Sequence, residues 1–167
     1  MSMGLFDSLF STDEVIGIAR ETIDFALESA EHTHPNEYMG LLRGTQASEL
    51  NLDRDGQVIT DIMVIPGTTS SPVAATLRGN LVPNDRRSVG SIHSHPSGVL
   101  SPSQQDIDSF GRGDVHIIMG APYGRDDWRA FDRAGEPRTL EVLNVTLPNP
   151  EDFFDFTQAD IDEELYR

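Results

Sequence analysis

Cysteine is absent from the 167-residue chain. That excludes disulfides, thiolate nucleophiles and cysteine-based zinc sites together, so any catalytic metal has to sit on histidine and carboxylate. Lysine is absent as well: all 12 basic residues are arginine, against 28 acidic ones, for a formal net charge of -16. Such a surface offers no basic stripe to displace counterions from phosphates, which argues against a nucleic-acid partner. An acidic excess without lysine suits a high-salt cytoplasm, where salt screens the self-repulsion; an ordinary acidic protein is the plainer alternative. No apolar run approaches the ~20 residues of a membrane span. The opening MSMGLFDSLF lacks the basic region and small-residue cleavage site of a signal peptide, so the expectation is a cytoplasmic chain with no membrane partner. Hydrophobic residues make up 37% of the sequence, enough for one globular domain spanning 1–167.

The pattern along the chain predicts a mixed α/β fold, a layer of strands flanked by helices. Ser11 and Glu14 fit a capping box, and Val15, Ile18, Ala19, Thr22, Ile23, Ala26, Leu27 and Ala30 recur at helical spacing. These predict an N-terminal helix over about 12–30, ended by Pro35. A catalytic core is expected over about 37–145. It starts with a buried strand at Glu37–Gly44, then a hairpin turning at Asp53–Gly56 between strands 49–52 and 57–65. The Pro-, Gly- and Ser-rich stretch 66–87 reads as a long loop, with a short helix at 73–81. Strands are expected at 88–95, 115–119, 128–133 and 139–145. Between the first two lies a helix capped by Ser101 and ending near Phe110, and an acidic helix over about 157–166 closes the chain.

The most informative stretch is HSHPSGVLSPSQQD, residues 93–106. His93 and His95 alternate on a strand, so they share a face with Cα atoms ~6.6 Å apart, and two imidazole nitrogens can converge on one ion. Ser103 follows after seven intervening residues and Asp106 after two more, together on one helix face. Two neutral imidazoles and one carboxylate leave Zn²⁺ an open fourth position, the mark of a catalytic rather than a structural site. A base is then needed, and Glu37 is the candidate. Each residue has a duller reading beside this one. His93 and His95 could be satisfied strand histidines, Asp106 a helix-dipole partner, Ser103 a solvated hydroxyl, and Glu37 an exposed loop carboxylate. His32 and His34 read as solvated and His116 as structural.

Glu37, His93, His95, Ser103 and Asp106 together resemble the signature of the JAMM, or MPN-plus, zinc metalloproteases: a glutamate at a strand head, then HxH, seven residues, Ser, two residues, Asp. The segment EYMGLLRG is similar to the family's E-x-x-G element, and the resemblance covers roughly residues 37–119. It implies a curved, mainly antiparallel sheet flanked by helices, similar to the zinc deaminases. It implies one catalytic zinc held by His93, His95 and Asp106, with Glu37 as general base and Ser103 as an oxyanion or water-positioning hydroxyl. The implied substrates are lysine-linked conjugates of ubiquitin-like modifier proteins, since the chain is most similar to small archaeal desampylases. The 66–87 loop is then expected to clamp an extended modifier tail. A non-catalytic MPN-type scaffold, a RadC-like protein and a sulfur-carrier-processing hydrolase are the competing readings. A deaminase is disfavoured because no PCxxC follows.

Overall fold

The computed structural model describes residues 14–65, 88–111 and 113–147. The chain runs β1 (Val15–Ala19), α1 (Arg20–Thr33), β2 (Met39–Gln46), a 3-10 turn (Ala47–Leu50) and β3 (Gln57–Val64). It continues with β4 (Ser88–His95), α2 (Gln104–Ser109), β5 (Val115–Gly120), β6 (Trp128–Phe131), β7 (Pro137–Arg138) and β8 (Glu141–Leu143). The eight strands form one mixed sheet in the order β7-β6-β5-β4-β2-β3-β1-β8. Pairings β2–β3, β2–β4, β5–β6 and β6–β7 are antiparallel, while β1–β3, β1–β8 and β4–β5 are parallel. The mixed α/β class and the antiparallel majority are as expected.

The sheet is curled. β7 and β8 stand at opposite ends of the strand order, yet only Thr139 and Leu140 separate them in sequence. So short a link reaches ~10 Å at most, so the two edges approach each other. The Arg138 guanidinium of β7 reaches β1, the neighbour of β8, by donating to the Val15 carbonyl at 2.6 Å. Ile23, Ala26, Leu27 and Ala30 of α1 are buried in one cluster with Ile18, Leu42, Ile59, Ile92, Ile117 and Met119 of the strands. Removing that apolar surface from water holds helix and sheet together.

Several sequence expectations shift. The N-terminal helix begins at Arg20, and Val15–Ala19 is a strand hydrogen-bonded on both sides, to β3 and β8. Val15, Ile16 and Ile18 are β-branched, and their spacing of three fits a helix face as well as a strand buried on both faces. Glu14 precedes β1, so it caps no helix. Residues 47–50 form the 3-10 turn and not a strand, so the hairpin is made by β2 and β3. The strand expected at 139–145 is shortened to β8, and the unexpected β7 precedes it, because the chain crosses at Thr139 and Leu140 from one sheet edge to the other. The loop at 66–87, the helices at 73–81 and 157–166 and Ser11 lie outside the described residues.

The β4–β5 pairing depends on close backbone approach. Gly90 pairs with Val115, and a Cβ at Gly90 would overlap the Val115 carbonyl. Next to it, His116 is buried at 1% exposure and stacks on Phe110 at 4.2 Å. Its Nε2–H donates to the Gly113 carbonyl at 2.8 Å, leaving Nδ1 to accept from the Ser91 hydroxyl at 2.7 Å. The expectation of a structural histidine holds. Burial favours its neutral form and lowers its pKa to about 4.

Two predictions follow from this pairing. Gly90→Ala should destabilise the protein by about 3 kcal/mol or more, read as a lower denaturation midpoint, because backbone rather than a side-chain tip has to move. His116 binds its proton more weakly folded than unfolded, so the stability it contributes is present above pH ~6.5 and lost as pH falls toward about 4. That loss amounts to about 3 kcal/mol. Denaturant midpoints of the wild type should therefore fall more steeply over this window than those of His116→Gln, and parallel slopes would contradict the assignment.

Candidate metal centre

β4 lies between β2, antiparallel on one side, and β5, parallel on the other. Ligand sites in α/β sheets sit beyond the carboxyl ends of parallel strands, and His93 and His95 occupy that end of β4. The chain then turns at Gly98, whose N–H donates to the His95 carbonyl at 2.9 Å. Gly98 has φ +85, and a Cβ there would lie 3.0 Å from the Ala121 carbonyl oxygen, so glycine suits the position twice over.

The turn delivers α2 with Ser103, not Ser101, as its cap. The Ser103 hydroxyl accepts from the Asp106 N–H at 3.0 Å, and the Ser103 N–H donates to Asp106 Oδ2 at 2.8 Å. This reciprocal box fixes the Asp106 carboxylate against the histidines. His95 Nε2 lies 3.1 Å from Asp106 Oδ2 and 3.1 Å from His93 Nε2, and His93 Nε2 lies 3.3 Å from Asp106 Oδ1. Donors about 2.0 Å from a tetrahedral zinc are ~3.3 Å from one another, so the three atoms have the spacing such an ion requires. His95 Nδ1–H donates to the Val99 carbonyl at 2.7 Å, which directs the Nε2 lone pair to the centre. Burial would raise the Asp106 carboxyl, but hydrogen bonds from His93 and Ser103 outweigh it and hold the group well below the usual carboxylate range. His93 is buried, and His95 and Asp106 are partly exposed.

Glu37 comes from outside this triad. It lies two residues before β2 in an exposed irregular segment, not at the strand head itself. Met39 pairs with His93, so continuing the antiparallel register sets Glu37 opposite His95 and on the face His93 and His95 share. Tyr38 continues that register by exchanging two bonds with Ser94: its N–H reaches the Ser94 hydroxyl at 2.8 Å, and its carbonyl accepts the Ser94 N–H at 3.0 Å. Although the residue is exposed overall, loss of water around its carboxyl raises the Glu37 pKa above the ordinary value. The charges of His93 and His95 oppose that rise and Asp106 adds to it, so all three groups act on Glu37.

The structure therefore brings His93, His95 and Asp106 into one cluster, with ligand atoms within 4.8 Å of one another. It sets Glu37 across from them and Ser103 beside them, exposed and capping. Sequence reasoning missed Ser94, the Val99 carbonyl and the partner of His34. His34 is exposed as expected, but its Nδ1 bonds the Tyr123 hydroxyl at 2.8 Å. Partners 89 residues apart leave no local signal.

A family model for the halobacterial JAB/MPN domain protein matches residues 15–152. A relative from Haloferax volcanii, named a probable metalloprotease, is 62% identical over 159 residues, covering 95% of this chain and 99% of its own. A crystal structure of a JAB1/MPN domain protein from Archaeoglobus fulgidus is similar with a TM-score of 0.57 and 30% identity, covering 77% of this chain and 100% of that one. A structure named for a JAMM metalloprotease-like zinc site in the proteasome and signalosome has a TM-score of 0.56 and 28% identity, covering 78% of this chain and 99% of that one. These findings match the fold and the motif described above, and the chain belongs to the halobacterial JAB/MPN domain family.

Proposed function

We propose that this single-domain protein is a zinc metalloprotease that hydrolyses the isopeptide bond between the C-terminus of a ubiquitin-like modifier and a lysine. The observation that carries the reading is the convergence of His93 Nε2, His95 Nε2 and the Asp106 carboxylate at 3.1–3.3 Å spacings. The metalloprotease name of the Haloferax relative and the zinc site named for the JAMM structure support the class. The lysine-linked modifier substrate rests on the motif resemblance.

His93, His95 and Asp106 would hold the ion. Zinc bound there supplies Lewis acidity and lowers the pKa of water toward neutrality. Glu37, on the shared face, takes the proton of the attacking water and passes it to the departing lysine amine. Ser103 spends a lone pair on the Asp106 N–H, so its own hydrogen remains free to donate to the developing oxyanion. Such a donor contributes about 3 kcal/mol.

Glu37→Gln should lower the turnover of a lysine-linked modifier conjugate at least ~10²-fold while zinc content, measured by atomic absorption, stays near one per chain. Asp106→Asn and His95→Gln should lose the zinc, and EDTA should silence the wild type reversibly. Cleavage that persists in Glu37→Gln, or after the chelator has stripped the metal, would refute the mechanism. A metal-loaded protein that cleaves unbranched peptides but no lysine-linked conjugate would keep the protease and remove the isopeptide assignment.

A further inference from the structure

We propose that His34 and Tyr123 form a latch that sets the position of Glu37, which makes both of them positioning residues for the reaction. This rests on Glu37 acting as the base. Glu37 belongs to the short segment 34–38 between α1 and β2, outside any regular element, so its placement has to come from anchors on either side. One anchor is downstream: Tyr38 exchanges bonds with Ser94, which is fully buried between the two candidate ligands. The other is upstream: His34 Nδ1 meets the Tyr123 hydroxyl at 2.8 Å, the rings edge-on with centroids 5.5 Å apart. Only Pro35, Asn36 and Glu37 lie between these anchors, and the Asn36 N–H is itself tied to the Thr33 carbonyl at 2.9 Å.

Both anchors lead back to the metal-ligand strand. β5 pairs with β4 so that Gly120 stands opposite His95, and Tyr123 lies on the turn that follows. There it adopts φ +64, a left-handed conformation uncommon outside glycine, with its N–H donating to the Gly120 carbonyl at 2.9 Å. The Tyr123 side chain is buried, and the Ser94 hydroxyl lies beside its phenol. The path from ligand strand to turn to phenol to His34 thus holds the segment carrying Glu37 from the side that β2 does not reach. A base misplaced by about 1 Å loses up to ~10²-fold in rate without weakening substrate binding, so the latch should act on kcat and not on KM.

Tyr123→Phe and His34→Leu each remove one half of the bond, whereas His34→Asn keeps an acceptor near the place of Nδ1. In the full-length, zinc-loaded chain acting on the lysine-linked conjugate, kcat should fall about tenfold in the first two, with KM within about twofold. The double variant Tyr123→Phe/His34→Leu should fall no further than either single, and His34→Asn should recover most of the loss. Independently of turnover, amide hydrogen exchange at residues 36–38 should quicken in both single variants, with and without zinc, while zinc content holds. His34 is exposed, so His34→Leu carries the test if Tyr123→Phe folds poorly. Wild-type kcat and exchange in His34→Leu, or losses that add in the double variant, would overturn the latch. Glu37→Gln run alongside separates the two readings: if it remains active the base assignment fails, and if it is dead while the latch variants match wild type only the latch fails.

Discussion

Strand β4 is held in register from both sides, and the site depends on that double constraint. Antiparallel pairing with β2 sets Met39 opposite His93 and continues through the Tyr38–Ser94 bonds to Glu37. Parallel pairing with β5 sets Gly120 opposite His95 and brings the Tyr123 turn alongside. A slip of one residue on either side would turn His93 and His95 to the other face of the sheet, because side chains alternate with a period of two. Ile92, Ile117 and Met119, all fully buried, oppose such a slip, since it would carry them out of the core.

The carboxylate of the cluster is fixed by a different device. Asp106 is the third residue of a six-residue helix with no buried side chain, an element with little packing of its own. Its orientation comes from the capping box with Ser103 and from the histidines. Helix capping and the ligand geometry are thus one set of bonds, and the duller reading of Asp106 as a helix-terminus residue coexists with the ligand reading. The same holds for Ser103, whose cap uses its oxygen and leaves its hydrogen unused.

Much of this was legible in the sequence. β4 was expected at its observed limits, and the HxH spacing and the following helix put three of the five candidate residues in contact. What stayed hidden was non-local. Val15–Ala19 has a helix-compatible spacing, and only its pairing with β3 and β8, strands about 40 and 125 residues onward, makes it a strand. The cap moved from Ser101 to Ser103 because Ser103 has a partner at Asp106, and both serines have an acidic or amide residue three positions on. His34 looked solvated because its partner Tyr123 follows β5, 89 residues onward in sequence although only β4 separates β5 from β2 in the sheet. Glu37 could be named from the resemblance, but its position depends on the β2–β4 register, which no local pattern encodes.

The proposed function requires His93, His95 and Asp106 to grip one zinc and leave it a position open to solvent and substrate. Anomalous diffraction at the zinc edge from crystals of the loaded protein tests it most directly. The account predicts a single strong peak about 2.0–2.1 Å from His93 Nε2, His95 Nε2 and one Asp106 oxygen, with no fourth protein donor. A peak elsewhere in the molecule, or one enclosed by four protein ligands, would contradict it.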